Sequence, residues 1–314
     1  WLPDEQRDVF LEQVQDRAKQ QGVRVPEPIV IEGNVPAAVR RNRLLDEALD
    51  GARLDGPPRA WLGEPVAIKE PTAVPFRRQP GANMLIIGQQ DEQAMAIIGV
   101  SMISLAAQHG KDRARFVLMD GTPADSDLAG RLEQVAAVIP QQVERVEYRQ
   151  TAEAIDELAR ELARRQEQDD PDAPTIYLVI YGLQRYRVLR KSEEGFSFSL
   201  DDAEKPPQPD KQFADLLRDG PGVGIHVIAW CDTPAAVERT IERSSMREFD
   251  NRILFQMSAA DSSNLIDSPA ANKLGFFRAL AYSEEQGMME KFRPYALPDA
   301  QWLQEVGEKL QKKA

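Results

Sequence analysis

Residues 80–108 read PGANMLIIGQQDEQAMAIIGVSMISLAAQ, and the reading of this stretch decides the fold. Met84, Leu85, Ile86 and Ile87 make a short apolar run that stops at Gly88. From Glu92 onward the apolar residues return at helical spacing, at Met95, Ile98, Met102 and Leu105. The change of period predicts a strand, a tight turn and a helix. That order of elements can carry a phosphate cradle, written G-x-x-x-x-G-K-[S/T]. In register with Gly88, Gln93 takes the place of the second glycine, Ala94 of the lysine and Met95 of the magnesium-binding hydroxyl.

A cradle holds polyphosphate through backbone amides that wrap the anion, a lysine that neutralises it and a hydroxyl that holds magnesium. Here the lysine and the hydroxyl are missing, and the loop is Gln89, Gln90, Asp91, Glu92 and Gln93. Asp91 and Glu92 suit the positive end of a helix dipole but repel a triphosphate. The expectation is a structural turn filled by the protein's own side chains, with no cofactor. ATP and magnesium would bind only if backbone amides near Gly88 sufficed.

A working site also needs an acidic residue at the end of an apolar strand, to organise magnesium and the attacking water. The candidate strand TIYLVIY, 175–181, ends in Tyr181 and Gly182, and no carboxylate stands there. Asp120 ends a different apolar run, RFVLM, and reads as a cap or turn residue.

Composition sets the outer bounds. With 314 residues, 42% of them hydrophobic, the chain has room for one large α/β domain and a smaller appendage. No apolar run reaches the length of a membrane span and no signal-peptide pattern opens the chain, which gives a cytoplasmic expectation. The sequence starts at Trp1 rather than methionine, so it is expected to be an excised piece of a longer protein. Cys231 has no second cysteine to pair with and reads as a small buried residue at a strand end. His109 and His226 have no cluster of ligands around them to support a zinc site. The net charge of −12 argues against a sequence-blind nucleic-acid binder, so tight duplex binding by the isolated chain is not expected.

Along the chain, residues 1–60 read as an arm. It comprises an amphipathic helix over LPDEQRDVFLEQVQDRAKQQG closed by Gly22, a strand over PEPIVIEGN and a short helix over VRRNRLLDEALDG. Gly56, Pro57 and Pro58 then form a linker. The prolines of WLGEPVAIKEPTAVPF confine that region to short edge strands. Further strands are predicted over Arg115–Met119, Val143–Tyr148, Thr175–Tyr181, Ile225–Trp230 and Ile253–Met257. Helices fall around Ser126–Val138 and over Thr151–Gln168, the latter capped by Thr151. Phe276–Tyr282 and Met289–Tyr295 read as a closing hairpin, and Asp299–Lys312 as a last helix. Arg190–Gln212 lacks periodicity and reads as a loop. Strands alternating with helices give an α/β fold, a mainly parallel sheet with helices on both faces.

Five segments between Ala60 and Tyr295 resemble the FtsK/SpoIIIE family of ring-forming ATPases, which includes the type VII secretion ATPases EccC and EssC. They are ANMLIIGQQDEQAM, ARFVLMDGTPADSDL, TIYLVIYGLQ, GPGVGIHVIAWCDTP and FDNRILFQMSAADSSNLIDSPAANKLGFFRALAY. The resemblance implies a RecA/FtsK-like P-loop NTPase domain over 61–314, with 1–60 as the arm from a preceding module. It places Gln93, Ala94 and Met95 on the cradle positions, Tyr181 with Gly182 on the acidic pair, and Arg252 on an arginine that could face a neighbouring module or, equally, be a salt-bridged strand-edge arginine. A degenerate, terminal module of a multi-ATPase chain follows from these departures. It would act in docking, regulation or ring assembly beside neighbouring ATPase modules, with DNA or secreted protein as cargo of a full-length, membrane-associated parent. Two alternatives are an ATP-binding motor with an atypical site and a module whose vacated pocket recognises a secretion substrate.

Overall fold

A computed structural model describes residues 3–22, 34–168, 170–192 and 208–313. The chain divides into two compact units, Trp1–Asn34 and Val35–Ala314. The first contains α1 (Asp4–Gln20), whose end is closed at Gly22, where φ is +63°. Val9, Phe10, Leu11 and Val14 of α1 are all more than half exposed. The strand read over PEPIVIEGN falls almost wholly on residues outside those described.

The boundary expected after residue 60 moves to Asn34/Val35. The reason is burial: Ala37, Leu45, Ala48 and Leu49 belong to the core of the larger unit, and Ala37 bridges to Tyr295. Asn42 caps α2 (Arg43–Leu49) by accepting from Leu45 N at 3.1 Å.

The remaining elements follow in chain order: β1 (Arg59–Pro65), β2 (Thr72–Pro75), β3 (Met84–Ile87), α3 (Asp91–Gln108), β4 (Ala114–Asp120), α4 (Arg131–Val138), β5 (Gln142–Arg145), α5 (Thr151–Gln168), β6 (Thr175–Tyr181), α6 (Pro209–Asp219), β7 (Ile225–Cys231), α7 (Pro234–Thr240), β8 (Asn251–Leu254), α8 (Ala259–Ile266), β9 (Ala279–Ser283), β10 (Met288–Pro294) and α9 (Ala300–Lys313). Among the described residues, ten strands form one sheet in the order β2-β1-β10-β9-β8-β3-β7-β6-β4-β5. The stretch from β8 to β5 is parallel throughout. The pairings from β8 through β9, β10 and β1 to β2 are antiparallel.

Alternate residues of the central strands serve opposite faces, as a period of two requires. Met84, Ile86, Tyr181, Trp230 and Phe255 join α2, α3, α4 and α9 in one core, while Leu85, Ile87, Ile180, Cys231 and Leu254 join α5, α6 and α7 in the other. The expected two-faced α/β architecture is therefore present. One detail differs in kind: α3 is buried continuously from Ala94 to Ala107, where an apolar stripe was expected. A helix enclosed on all sides loses its polar face.

Several boundaries shift for local reasons. The helix read around Ser126 begins only at Arg131, because Gly130 precedes it with φ +77°. Thr151 does not cap α5; Glu147 and Gln150 form a capping box on a 3-10 turn that leads into it. β8 ends at Leu254, since Ser258 caps α8 through Asp261 N. The loop read over Arg190–Gln212 gives way to helix at Pro209, and 193–207 lie outside the described residues.

Buried polar groups fix the foot of β3. Asn83 is fully buried and donates to Leu217 O at 2.9 Å and Glu248 O at 2.7 Å, while accepting from Val227 N at 2.8 Å. Its own carbonyl accepts from Asn251 Nδ2 at 3.2 Å. His226, also buried, donates from Nδ1 to Ala82 O at 2.8 Å.

Candidate nucleotide site

The parallel strands deliver their C-terminal ends side by side, with β3 between β7 and β8, and β6 beyond β7. Ile87 is in register with both Cys231 and Leu254, and Tyr181 with Trp230 and Asp120. Gly88 leaves β3 with φ +134°, a region that L side chains avoid. A Cβ there would lie 2.7 Å from Phe255 Cβ. Glycine is required at this turn twice over, by conformation and by space.

What packs on the turn is aromatic. Trp230 Nε1 donates to Gly88 O at 2.9 Å, and Gly88 N donates to Cys231 O at 3.1 Å. The Trp230 and Tyr181 rings lie 4.4 Å apart and are tilted by 31°, in close contact at the short edge of the range of favourable aromatic pairs. Tyr181 OH donates to Asp91 O at 3.1 Å, tying the end of β6 to the first turn of α3. Burial, then Asp91 and Asp120, pushes the Tyr181 phenol up, so it stays a neutral donor. Tyr181, Trp230 and Phe255 are 2%, 5% and 1% exposed, which makes them a closed aromatic cover rather than a lined opening.

The other expected site residues fall around this cover. Ala94 and Met95 are buried under it, Gln93 is half-buried, and Gln89, Asp91 and Glu92 face solvent. Gln90 occupies the cap position of α3 without a capping bond, and its buried Oε1 has no partner. Asp91 Oδ1 accepts from Glu92 N at 2.8 Å, satisfying one free amide of the helix start. Gly182 adopts φ +82° and opens a 3-10 turn, Leu183–Arg185. Asp120 folds on itself, with Oδ1 accepting from Thr122 N at 2.9 Å, which is the turn role read for it. The Cys231 thiol is buried and pushed up to about 12 by desolvation.

No family model and no curated protein matches the sequence, whereas solved structures do. The cytoplasmic domain of the Thermomonospora curvata type VII secretion ATPase EccC superimposes with a TM-score of 0.59 at 16% identity, over 88% of this chain. The EccC ATPases 2 and 3, in complex with a signal sequence peptide, give 0.62 at 13% identity over 88%. The pCW3 conjugation coupling protein TcpA, with ATPγS, gives 0.62 at 13% identity over 97% of this chain and 86% of its own. The chain has the fold of an EccC-type ATPase module. It spans only 34% of the EccC cytoplasmic domain and 45% of the two-ATPase fragment. This is the P-loop NTPase fold that the FtsK/SpoIIIE resemblance implied.

Within this EccC-type fold, Arg252 stands apart from the closed turn. It is 6% exposed, donates from Nη1 to Leu265 O and from Nη2 to Met246 O, both at 2.9 Å, and lies over the Tyr282 ring. Glu284 is its ion-pair partner at 3.6 Å. In this geometry its guanidinium is held within the chain by two backbone carbonyls and Glu284. Trp230 and Phe255 were missed by sequence reading. The available signal was an aromatic residue at the end of each of three apolar runs, VIY, IAW and ILF, on strands that the sheet order brings together.

Proposed function

We propose that this chain is a degenerate ATPase-fold module that neither binds nor hydrolyses ATP with useful efficiency. It acts as a docking, regulatory or ring-assembly unit beside active modules of a cytoplasmic DNA- or protein-translocating machine. The observation that carries this reading is the cover of Tyr181, Trp230 and Phe255 over Gly88. Admitting a phosphate chain would require moving large buried rings, each worth roughly 1.5–3 kcal/mol in apolar burial. Nothing in the loop would return that energy, since neither a lysine nor a hydroxyl is at hand. The presence of more than one ATPase in the EccC fragment that the fold resembles supports neighbouring modules as its partners.

Calorimetry with Mg-ATP on the intact chain is expected to show no binding in the low micromolar range, that is, at about −8 kcal/mol. Restoring the cradle with Gln93→Gly, Ala94→Lys and Met95→Thr together should not create an ATPase. Position 94 is fully buried, so an unpaired ammonium there is strongly disfavoured, and the end of β6 still lacks a carboxylate. Magnesium-dependent hydrolysis by the triple variant would show a site silenced only at the loop and would overturn the proposal.

A further inference from the structure

Just past the closed turn, residues 184–191 read QRYRVLRK, four cations in eight residues and no carboxylate, in a chain of net charge −12. The structure enlarges this run. The Tyr148 ring stacks on Tyr186 at 5.7 Å and its hydroxyl donates to Arg185 O at 3.1 Å, which brings Arg149 alongside. Lys191 N donates to Arg239 O at 3.0 Å and adds a further cation.

Arg149, Arg185, Arg187, Lys191 and Arg239 are exposed and form no close ion pair among the described residues; carboxylates stand nearby at Asp120, which acts on Tyr186 together with Arg185, and at Asp210, which is bonded to Ser192 beside Lys191. Some exposed arginines elsewhere do pair, Arg160 with Asp156 and Arg218 with Asp215 and Asp219; what marks this patch is that its cations are gathered. Like charges gathered without neutralisation repel one another, and an anion that covers them relieves the repulsion. Tyr148 and Val188, 55% and 39% exposed, add apolar surface among the charges.

We propose that this patch docks a short acidic segment of a partner protein, with an aromatic or aliphatic residue seated against Tyr148 and Val188. A short segment fits better than nucleic acid because the patch is bounded. Glu147 borders it, and Glu144, Glu153 and Glu157 line an adjacent cavity of about 270 Å³ together with Gln150 and Arg145, whose charge is already paired with Glu133 at 2.8 Å. A long polyanion would run from the cations onto these carboxylates, whereas a peptide of a few residues stays on the cations. The docking surface does not depend on whether the turn at Gly88 binds nucleotide.

The test uses the whole chain and a fluorescein-labelled peptide of glutamates around one central phenylalanine, followed by anisotropy at low salt. Binding is expected with Kd below about 100 µM, weakening as salt rises. Arg149→Glu with Arg187→Glu should weaken it at least about tenfold, and Tyr148→Ala about threefold. Arg218→Glu, a reversal away from the patch, should leave it unchanged, and circular dichroism of each variant reports that the fold is kept. The proposal is overturned if no peptide binding is seen below about 1 mM, or if the folded double reversal binds as the parent does. It is equally overturned if single-stranded oligothymidylate binds the parent more tightly than the peptide at the same salt, which would assign the patch to nucleic acid.

Discussion

Trp230→Ala is expected to cost about 3–5 kcal/mol of stability in denaturant unfolding, the range for removing a large aromatic side chain from a packed core. The ring covers Gly88, packs on Tyr181 and supplies the donor to Gly88 O, so its loss leaves both a cavity and a buried carbonyl without its partner. Trp230→Phe keeps most of the packing and removes the donor, and should cost about 1–3 kcal/mol, the price of an unsatisfied buried group. An alanine variant within about 1 kcal/mol of the parent, well below that core range, would mean that the turn is not held by this ring. The closed-site reading would then lose its main support.

Acid is expected to destabilise the fold well before carboxylates titrate. His226 is fully buried, and burial lowers it to about 4 against an ordinary 6.5, with Arg78, His109 and Arg165 adding to the effect and the bond to Ala82 O opposing it. His109, which shares a hydrogen bond with Tyr177 OH at 2.9 Å, is also lowered to about 4, by burial and then by Arg113 and Lys313. Between pH 6.5 and 4 the unfolded chain takes up protons that the native state refuses, so stability is full above 6.5 and falls as pH drops through this window. For His226 the loss by pH 5 is about 2 kcal/mol, and His109 acts in the same direction. Unfolding free energies at pH 7.5 and pH 5 check this; a flat profile would show that neither imidazole is held neutral by the fold.

Sequence period went far toward the fold and stopped short of the site. MLIIG and TIYLVIY announce central strands because each is apolar throughout, which suits a strand covered on both faces. The absent lysine, hydroxyl and carboxylate were equally legible, being local substitutions in a known spacing. What fills the space was not. Trp230 and Phe255 meet Gly88 only because β7 and β8 flank β3, and sheet order is a long-range property that no window of residues contains. The same blindness put a stripe on α3, since helical spacing at Met95, Ile98, Met102 and Leu105 cannot tell one covered face from four. At Thr151 the failure was chemical: a threonine at a helix start suits a cap, yet the capping box of Glu147 and Gln150 just before it took that role.

The strand β3 is pinned at both ends. Asn83 and Ala82 hold its foot to α6, β7 and β8 through side-chain amides and an imidazole, and Trp230 clamps its head at the carbonyl of Gly88. The consequence is mechanical. A strand that begins a phosphate loop can act as a piston only if the loop at its head is free to change shape, and here that travel has been taken up by side chains. Force applied along β3 meets hydrogen bonds at both of its ends, as in a strut, so under the proposed function this strand would carry load instead of generating it.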